Sequence, residues 1–340
     1  MNYIYLALGI LLFVLVSLDI TKTTVSSNGG GSLTNYIARS IWMLFLYATR
    51  KNGRSKVLSY VGSAILAAIL LTWVFTLWGS MLLMLMADKG AIKNSTTNAD
   101  ASLLEQLYYA GYTLSTLGVG DYIPTTDFWR LVTNITAFAG LASITASITY
   151  FIPVLQAVEH QSKLSFYISS MGHTPAQILR NSWNGKDFSS FYENTDAICQ
   201  MLMQHITHHH SYPIIHYFHN HRIQFSISVG VALLAETYYL LQYGVHPQLN
   251  NKLKLIMLKN TLEQYLQLVK SEYIKDAEPD EQPPKPELDE LLEAGIPLQP
   301  KETIVAAFQK ELKGPRTLLT VLIETDGWTW GQVYRDEVEL

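Results

Sequence analysis

At residues 113–122 the chain reads Thr113-Leu114-Ser115-Thr116-Leu117-Gly118-Val119-Gly120-Asp121-Tyr122. Two glycines separated by one residue permit a backbone that most L-residues cannot adopt, because glycine reaches positive φ at little steric cost. Apolar runs long enough to cross a membrane lie on both sides, at residues 58–86 and 128–155. Non-helical backbone at membrane depth is tolerated only where protein buries it or water meets it. The stretch therefore indicates a pore rather than an ordinary turn.

A short helix is predicted just before this stretch. Ser102-Leu103-Leu104-Glu105 has the pattern of a capping box, in which the first and fourth residues satisfy each other's backbone N–H groups. The helix is expected to run from about Leu103 to Leu114, which is too short to span a bilayer. Its carboxyl end, where the helix dipole is negative, faces the glycine-rich stretch and favours a cation there.

This region resembles the pore of the potassium-channel superfamily, whose filter signature is Thr-x-Gly-x-Gly-Asp with an aromatic residue usual at the second x. The resemblance covers roughly residues 57–155. Tyr108-Tyr109 lies where these channels usually carry a tryptophan pair, Pro124 follows the aspartate, and Gly140 falls where the family places its gating glycine. The resemblance implies an outer helix, a re-entrant pore helix and an inner helix, assembled as a homotetramer around one pore.

The resemblance also assigns roles to single residues. Asp121 places a carboxylate at the outer mouth, and K⁺ is the permeant ion, with no cofactor expected. The backbone carbonyls of the filter replace the hydration shell of the ion. The implied ion selectivity filter consists of Thr116, Leu117, Gly118, Val119 and Gly120, supported by Tyr108, Tyr109 and Ser115.

Residues 128–155 are predicted to form the inner helix, which is rich in small and hydroxylated residues that suit close packing and a water-filled cavity. By the resemblance, Leu141, Ile144 and Ile148 face that cavity. Gly140 either flexes the helix or serves as a packing contact, and both interpretations stay open. Pro153 is expected to kink or end the helix.

Two departures from the family's pattern raise an alternative. Val119 replaces the usual tyrosine or phenylalanine, and Leu117 replaces the usual valine or isoleucine. A weakly selective channel for monovalent cations is therefore the second hypothesis, although a carbonyl ring does not depend on these side chains. The third is a subunit of a potassium-uptake transporter, but such proteins carry four filter segments in one chain and only one is present. Hydrolase and metalloprotease motifs are absent, so an enzyme is not expected.

Composition favours a membrane half and a soluble half. The 340 residues include only 15% charged ones, and the mean hydropathy is slightly positive. The net charge of −4 comes without a basic stripe, so no nucleic-acid partner is expected. Cys199 is the only cysteine, which excludes an intrachain disulfide.

Charge sets the predicted orientation. Residues 4–18 are apolar without the basic region of a signal peptide, which favours an uncleaved transmembrane helix, followed by a polar loop at residues 21–35. Residues 36–49 are short and amphipathic, and an interfacial helix is favoured over a short span. A basic cluster then precedes the outer helix: Arg50, Lys51, Arg54 and Lys56. By the positive-inside rule this cluster and the C-terminus are cytoplasmic, in a plasma (inner) membrane.

The sequence predicts an all-α membrane protein in three parts. Residues 1–56 form an N-terminal transmembrane helix and interfacial segment, residues 57–158 the pore domain, and residues 159–340 a helical cytoplasmic domain. The apolar run at residues 225–243 contains Glu236 and is interpreted as the buried core helix of the last part. This part is expected either to bias the gate, in response to an unknown cytoplasmic ligand, or to act in assembly alone.

Seven of the ten histidines fall between His205 and His221. His205 and His209 share one helix face, and His216 and His219 are three residues apart, which are spacings that zinc sites use. A metal site at these four residues is one hypothesis, and proton sensing near neutral pH is another. A solvated, mildly basic surface or a contact between subunits is the favoured interpretation.

Overall fold

Helices make up nearly all of the secondary structure in the computed structural model, which describes residues 1–25, 29–274 and 278–334. The first half contains α1 (Tyr3–Val25), α2 (Ser32–Ala48), α3 (Leu58–Met86), α4 (Leu103–Leu114) and α5 (Asp127–Met171). The second half contains α6 (Pro175–Ser182), α7 (Ser189–Ser211), α8 (Ile227–Tyr239), α9 (Lys252–Glu272), α10 (Asp289–Glu293), α11 (Lys301–Lys310), α12 (Lys313–Thr325) and α13 (Trp330–Val333). Two short strands, β1 (Ile92–Asn94) and β2 (Tyr122–Pro124), pair antiparallel.

Three of the described helices, α1, α3 and α5, are long and apolar enough to cross a membrane. Their presence in a fold with almost no sheet confirms the predicted class, an all-α membrane protein. Helix α2 has 17 residues and is not among the three. The interfacial placement of residues 36–49 stays a prediction.

The chain divides into two compact units that interleave along the sequence. The first unit comprises Met1–Ile41, Ser63–Leu155 and Ser211–Ile214, and the second comprises Trp42–Gly62, Gln156–His210 and Ile215–Leu340. The domain boundaries predicted after residues 56 and 158 stay predictions.

Within the first unit, α1 runs antiparallel to α3. The backbone N–H of Asn2 donates to the carbonyl of Ala87 at 2.6 Å. Further along α1, a Cβ atom on Gly9 would lie 2.7 Å from the carbonyl oxygen of Ser80 and 2.9 Å from the nitrogen of Met84. The absence of a side chain at Gly9 therefore allows the two helices to approach closely, as small residues do between membrane helices.

Asp19 fixes the elbow between α1 and α2. Its carboxylate accepts from the backbone N–H of Leu33 at 2.9 Å, the hydroxyl of Thr34 at 2.7 Å and the indole N–H of Trp73 at 3.1 Å. A carboxylate at a helix N-terminus satisfies orphan N–H groups and complements the helix dipole. Asp19 thus caps α2 from a neighbouring helix and joins α1 and α2 to α3.

The polar loop predicted at residues 21–35 is shorter in the structure. Helix α1 extends to Val25 and α2 begins at Ser32. The Asp19 cap explains the early start of α2, since a cap supplied by a distant residue leaves no local sequence signal. Residues 26–28 of the predicted loop lie outside the described residues.

The inner helix is longer than predicted. Helix α5 continues through Pro153 to Met171, whereas the sequence indicated an end near Leu155. Proline removes one backbone hydrogen bond, to the carbonyl of Thr149, but long membrane helices tolerate this loss when their neighbours hold the flanking turns. The alternative in which Pro153 ends the helix was therefore wrong.

The second unit is organised around α8, which is buried along its whole length after Ile227. The prediction of a buried core helix at residues 225–243 is confirmed, although a π-helical turn at Leu240–Gly244 follows the α-helix. Glu236 is only 1% exposed and receives two hydrogen bonds from Arg316, at 2.7 and 3.0 Å. Burial raises the pKa of Glu236, and the guanidinium opposes that rise.

Other helices of this unit begin and end at identifiable signals. The hydroxyl of Thr174 accepts from the N–H of Gln177 at 3.1 Å and so forms the N-cap of α6. Residues 318–323 belong to α12. The acidic, proline-rich segment from residue 278 contains the short helix α10.

Candidate functional site

The pore helix α4 has the predicted bounds, Leu103–Leu114. The backbone N–H of Ser102 donates to the carboxylate of Glu105 at 2.7 Å, which forms half of the capping box. Glu105 also accepts a hydrogen bond from the hydroxyl of Tyr122, beyond residues 116–120, which we call the filter stretch after their predicted role. One carboxylate therefore links the start of α4 to the segment that leaves the filter.

Helix α4 ends in a Schellman motif that turns the chain into the filter stretch. The N–H of Leu117 donates to the carbonyl of Tyr112 at 2.9 Å, and the N–H of Thr116 donates to that of Thr113 at 3.0 Å. This pattern requires a left-handed residue just after the helix, usually glycine. Thr116 takes that place with a φ of 58°, which is costly for a β-branched residue.

Beyond Thr116, residues with negative φ alternate with residues of positive φ. Gly118 has a φ of 58° and Gly120 a φ of 83°, whereas Leu117 and Val119 do not have positive φ. In a backbone that alternates hand in this way, successive N–H groups turn to one side and the carbonyls can turn to the other. A Cβ atom on either glycine would meet no neighbour within 4 Å, so the backbone conformation, and not packing within the chain, favours glycine here.

A two-stranded ribbon anchors the C-terminal end of the filter stretch. Strand β2 follows Asp121 directly and pairs with β1, with Asn94 opposite Tyr122. The N–H of Ser95 donates to the carbonyl of Asp121 at 2.8 Å. The sequence did not predict this ribbon, because three-residue strands carry almost no periodic signal.

Three tyrosines of α4, the helix before the filter stretch, pack together. Tyr112 is edge-on to both Tyr108 and Tyr109, with ring centroids 5.1 Å apart in each case. Its hydroxyl donates to the carbonyl of Tyr122 at 2.9 Å, and the hydroxyl of Tyr109 lies 2.7 Å from that of Thr133. Sequence reasoning missed Tyr112, although its spacing of three and four residues from the predicted pair places it on the same helix face.

The third predicted support residue, Ser115, turns back onto α4. Its hydroxyl donates to the carbonyl of Tyr112 at 3.2 Å. The support roles of Tyr108, Tyr109 and Ser115 stay predictions, as does the filter role of residues 116–120.

Gly140 makes a close contact with the end of α4. A Cβ atom there would collide with the carbonyl oxygen of Leu114, two residues before the filter stretch. Of the two interpretations left open by the sequence, the structure gives the packing contact a physical basis. The cavity residues predicted on the same helix, Leu141, Ile144 and Ile148, are each about half exposed in the single chain.

Comparison with known proteins agrees with this geometry. Residues 69–157 match a family model described as "Ion channel". The chain is 32% identical over 334 residues to the "uncharacterized membrane protein YdjJ" of Bacillus subtilis (strain 168), covering 97% of this chain and 96% of that protein. This chain belongs to the same family as that membrane protein, and its residues 69–157 belong to an ion-channel family. The channel is an integral membrane protein, and the resemblance of residues 57–155 to a channel pore is confirmed. No solved structure matches it significantly.

The channel's four candidate histidine ligands are not brought together as a set. His205 and His209 are buried in α7, with ring centroids 5.7 Å apart, and His216 lies 5.5 Å from His209. Burial lowers the pKa of His205 to about 3 and that of His216 to about 4. Among the described residues, no group of three or more His, Cys, Asp or Glu side chains is arranged to hold a metal ion.

His219 has different surroundings. Its Nδ1 lies 2.7 Å from Asp326 and its Nε2 lies 2.6 Å from the carbonyl oxygen of Gly53. Burial acts to lower the pKa of His219, but Asp326 and the Gly53 carbonyl raise it overall. No local pattern indicates this pairing, because its partners lie more than a hundred residues away in either direction.

Proposed function

We propose that this channel conducts K⁺ selectively and passively through a tetrameric pore. The observation that carries the proposal is the alternation of left-handed residues at Thr116, Gly118 and Gly120, directly after a pore helix whose negative dipole end faces them. Carbonyl oxygens that converge on an axis replace the hydration shell of K⁺. K⁺ itself is the only small species that this function needs, and no cofactor takes part.

Val119 makes weak cation selectivity the second candidate. An aromatic residue at that place would pack against the pore helix, whereas valine is 49% exposed in the single chain. The outer end of the stretch has other restraints, namely the hydrogen bond from Tyr112 to Tyr122 and the β1–β2 pairing. These restraints support a filter that keeps its shape without the aromatic residue, and they favour K⁺ selectivity.

Tetramer formation is supported by apolar side chains that are exposed in the single chain. Leu117 is 70% exposed, and the inner-helix residues Leu141, Ile144 and Ile148 are exposed as well. One chain supplies one filter segment, and carbonyls from one segment cannot surround an ion. Closed rotational symmetry places identical segments around a common axis and covers these residues.

We also propose that the second unit biases the gate. Helix α5 is continuous from Asp127 to Met171, and the segment Trp42–Gly62, which leads into α3, belongs to the second unit. In that segment the N–H of Gly53 donates to the carbonyl of Gly327 at 2.7 Å. The C-terminal part of α5, from Gln156, belongs to the second unit as well. A ligand that binds the second unit can thus act on the segment leading into α3 and on the end of α5, to the extent that it prefers one gating state.

The proposed orientation places the basic residues at 50–56 and the C-terminus in the cytoplasm, at the plasma (inner) membrane. The charge cluster before α3 supports it by the positive-inside rule. Protease added to one side of sealed vesicles tests the orientation. The protease should cleave the second unit only when it is added to the side that corresponds to the cytoplasm.

Ion flux into liposomes tests the conduction proposal. Purified full-length protein in lipid vesicles should take up ⁸⁶Rb⁺ when K⁺ is trapped inside, and external K⁺ should compete with that uptake far better than external Na⁺. Equal competition by the two ions would favour the weakly selective candidate, and no uptake would contradict both. Crosslinking in mild detergent should give a ladder that ends at four chains, and a ladder ending at two would contradict the tetramer.

A further inference from the structure

A cavity of about 270 Å³ lies within the first unit, between α3, α4 and α5. Its walls include Trp73 and Trp78 from α3, Leu114 from the end of α4, and Ser143 and Ser147 from α5. An engineered cavity of about 150 Å³ with apolar walls stays dry and holds a benzene molecule. The cavity in this channel therefore has room for a longer apolar group.

The tryptophans present only apolar surface to the cavity. The indole N–H of Trp73 is bound to the carboxylate of Asp19 at 3.1 Å, and that of Trp78 is bound to the carbonyl of Leu107 at 2.8 Å. Both donors are thus already used by protein acceptors. Only the ring carbons remain to contact an occupant.

The serine hydroxyls of the cavity wall are used in the same way. Ser143 donates to the carbonyl of Ala139 and Ser147 donates to that of Ser143, each at 2.7 Å. Such bonds to the preceding helical turn are usual for hydroxyl residues in helices. Each hydroxyl proton is therefore already used, and the serine oxygens offer a water molecule acceptors but no donor. The cavity suits an apolar occupant.

We propose that this cavity binds one acyl chain of a membrane lipid. Two of the three helices that form its walls, α3 and α5, are long and apolar enough to cross the bilayer, so acyl chains are the abundant apolar groups at hand. An empty cavity forfeits the dispersion contacts of its lining atoms, and an inserted chain restores them. The driving force is void filling, since the chain leaves one apolar environment for another.

The position of the cavity links the occupant to the filter stretch. Leu114 and Ser115 form part of the wall and come immediately before Thr116. Gly140, also in the wall, contacts the Leu114 carbonyl from α5. An acyl chain in the cavity therefore packs against the turn that leads into the filter stretch, and it supports that turn from behind.

Photolabelling tests the site directly. The full-length protein is placed in phosphatidylcholine–phosphatidylglycerol vesicles that contain phosphatidylcholine with a diazirine at mid-chain, irradiated, digested and mapped by mass spectrometry. Adducts are expected on the wall residues Val74 and Leu77. Leu71 and Phe75, exposed on the same helix, should also be labelled by surrounding lipid and serve as the internal reference.

A matched pair of variants separates occupancy from general lipid contact. Ser143→Leu fills the cavity, whereas Ser143→Ala removes the hydroxyl without filling it. Ser143→Leu should lower the labelling of Val74 and Leu77 by about fivefold or more, because its side chain occupies the volume of the acyl chain. Ser143→Ala should match the unchanged protein, and labelling of Phe75 should be equal in all three.

Ser147→Leu is the second filling variant, for use if Ser143→Leu does not assemble. Labelling confined to Leu71 and Phe75 in the unchanged protein would overturn the proposal, since it would mean that the cavity is closed to lipid or filled by a neighbouring chain. Unchanged labelling of Val74 in the filling variant would overturn it too. Neither readout requires ion flux, so this inference and the proposed conduction fail separately.

Discussion

Between Thr116 and Gly120 the backbone conformation depends on residues close in sequence, whereas the polar groups around α8 depend on partners far away. The turn into the filter stretch is held by a hydrogen bond from Leu117 to Tyr112, five residues earlier. In the second unit, Glu236 is paired with Arg316, 80 residues later. The first region needs a particular backbone at a few positions, and the second needs particular side chains to meet.

The two regions should therefore fail in different ways when they are changed. A substitution in the filter stretch acts on a backbone that is almost free of packing contacts, so it should remove function and leave the fold intact. A substitution in the α8 core leaves a buried charge without its partner, so it should remove stability and leave the filter intact. Four substitutions test this contrast.

The largest effect is expected from Gly118→Ala. Gly118 has a φ of 58°, and a left-handed conformation costs alanine about 1–2 kcal/mol in each chain. In the proposed tetramer this cost occurs in every chain around the same axis, so ⁸⁶Rb⁺ uptake should fall to background. The thermal unfolding temperature should fall by only a few degrees, because a Cβ atom there meets nothing within 4 Å and this backbone strain is the only cost to stability.

Gly79→Ala is the matched control. A Cβ atom on Gly79, in α3, would also meet no neighbour within 4 Å, but Gly79 does not have positive φ. Its replacement should leave ⁸⁶Rb⁺ uptake at the level of the unchanged protein. Normal uptake by the Gly118→Ala variant would mean that residues 116–120 do not form the filter.

This contrast explains how far the sequence alone could lead. The sequence predicted the features that follow from local patterns. These are the bounds of α4, the capping box at Ser102 and the three spanning helices. The cap that Asp19 provides for α2 and the pair formed by Glu236 and Arg316 depend on contacts across the fold. A single sequence shows such residues only as isolated charges in apolar runs, without their partners.

The next largest effect is expected from Arg316→Met. Arg316 is 4% exposed and donates twice to Glu236, so its loss leaves a buried carboxylate without a counter-charge and with only the hydrogen bond from Tyr334. Breaking a buried ion pair in this way costs about 3–5 kcal/mol. Unfolding of the second unit should shift to a lower denaturant concentration, and the preference for K⁺ over Na⁺ should not change.

The double variant Glu236→Leu/Arg316→Met provides the control for Arg316→Met. It removes both charges, and replacing a buried ion pair by apolar residues is often nearly neutral. It should recover most of the lost stability. Equal destabilisation in the single and double variants would mean that packing, and not the unpaired charge, is responsible.

A smaller effect is expected from Gly140→Ala. The added methyl group would collide with the Leu114 carbonyl, and overpacking of this kind costs about 1–3 kcal/mol. If the packing contact is the role of Gly140, the shift at the end of α4 should alter the ratio of Rb⁺ to Na⁺ uptake. If Gly140 is only a hinge, open probability in single-channel recordings should change while that ratio stays the same.

The effect that is smallest near neutral pH concerns the buried histidines, and it grows as the pH falls. His205 is fully buried, and burial lowers its pKa from the ordinary 6.5 to about 3, while His209 shifts in the same direction. The unfolded chain therefore binds more protons than the folded one below about pH 6.5, and the stability of the second unit should fall as the pH falls from there toward 4. The slope is about 1.4 kcal/mol per pH unit for each such histidine. His205→Phe should flatten the decline measured by urea unfolding between these pH values, whereas His210→Phe, at an exposed position of the same helix, should leave it unchanged. An identical slope in both variants would mean that His205 is protonated in the folded channel.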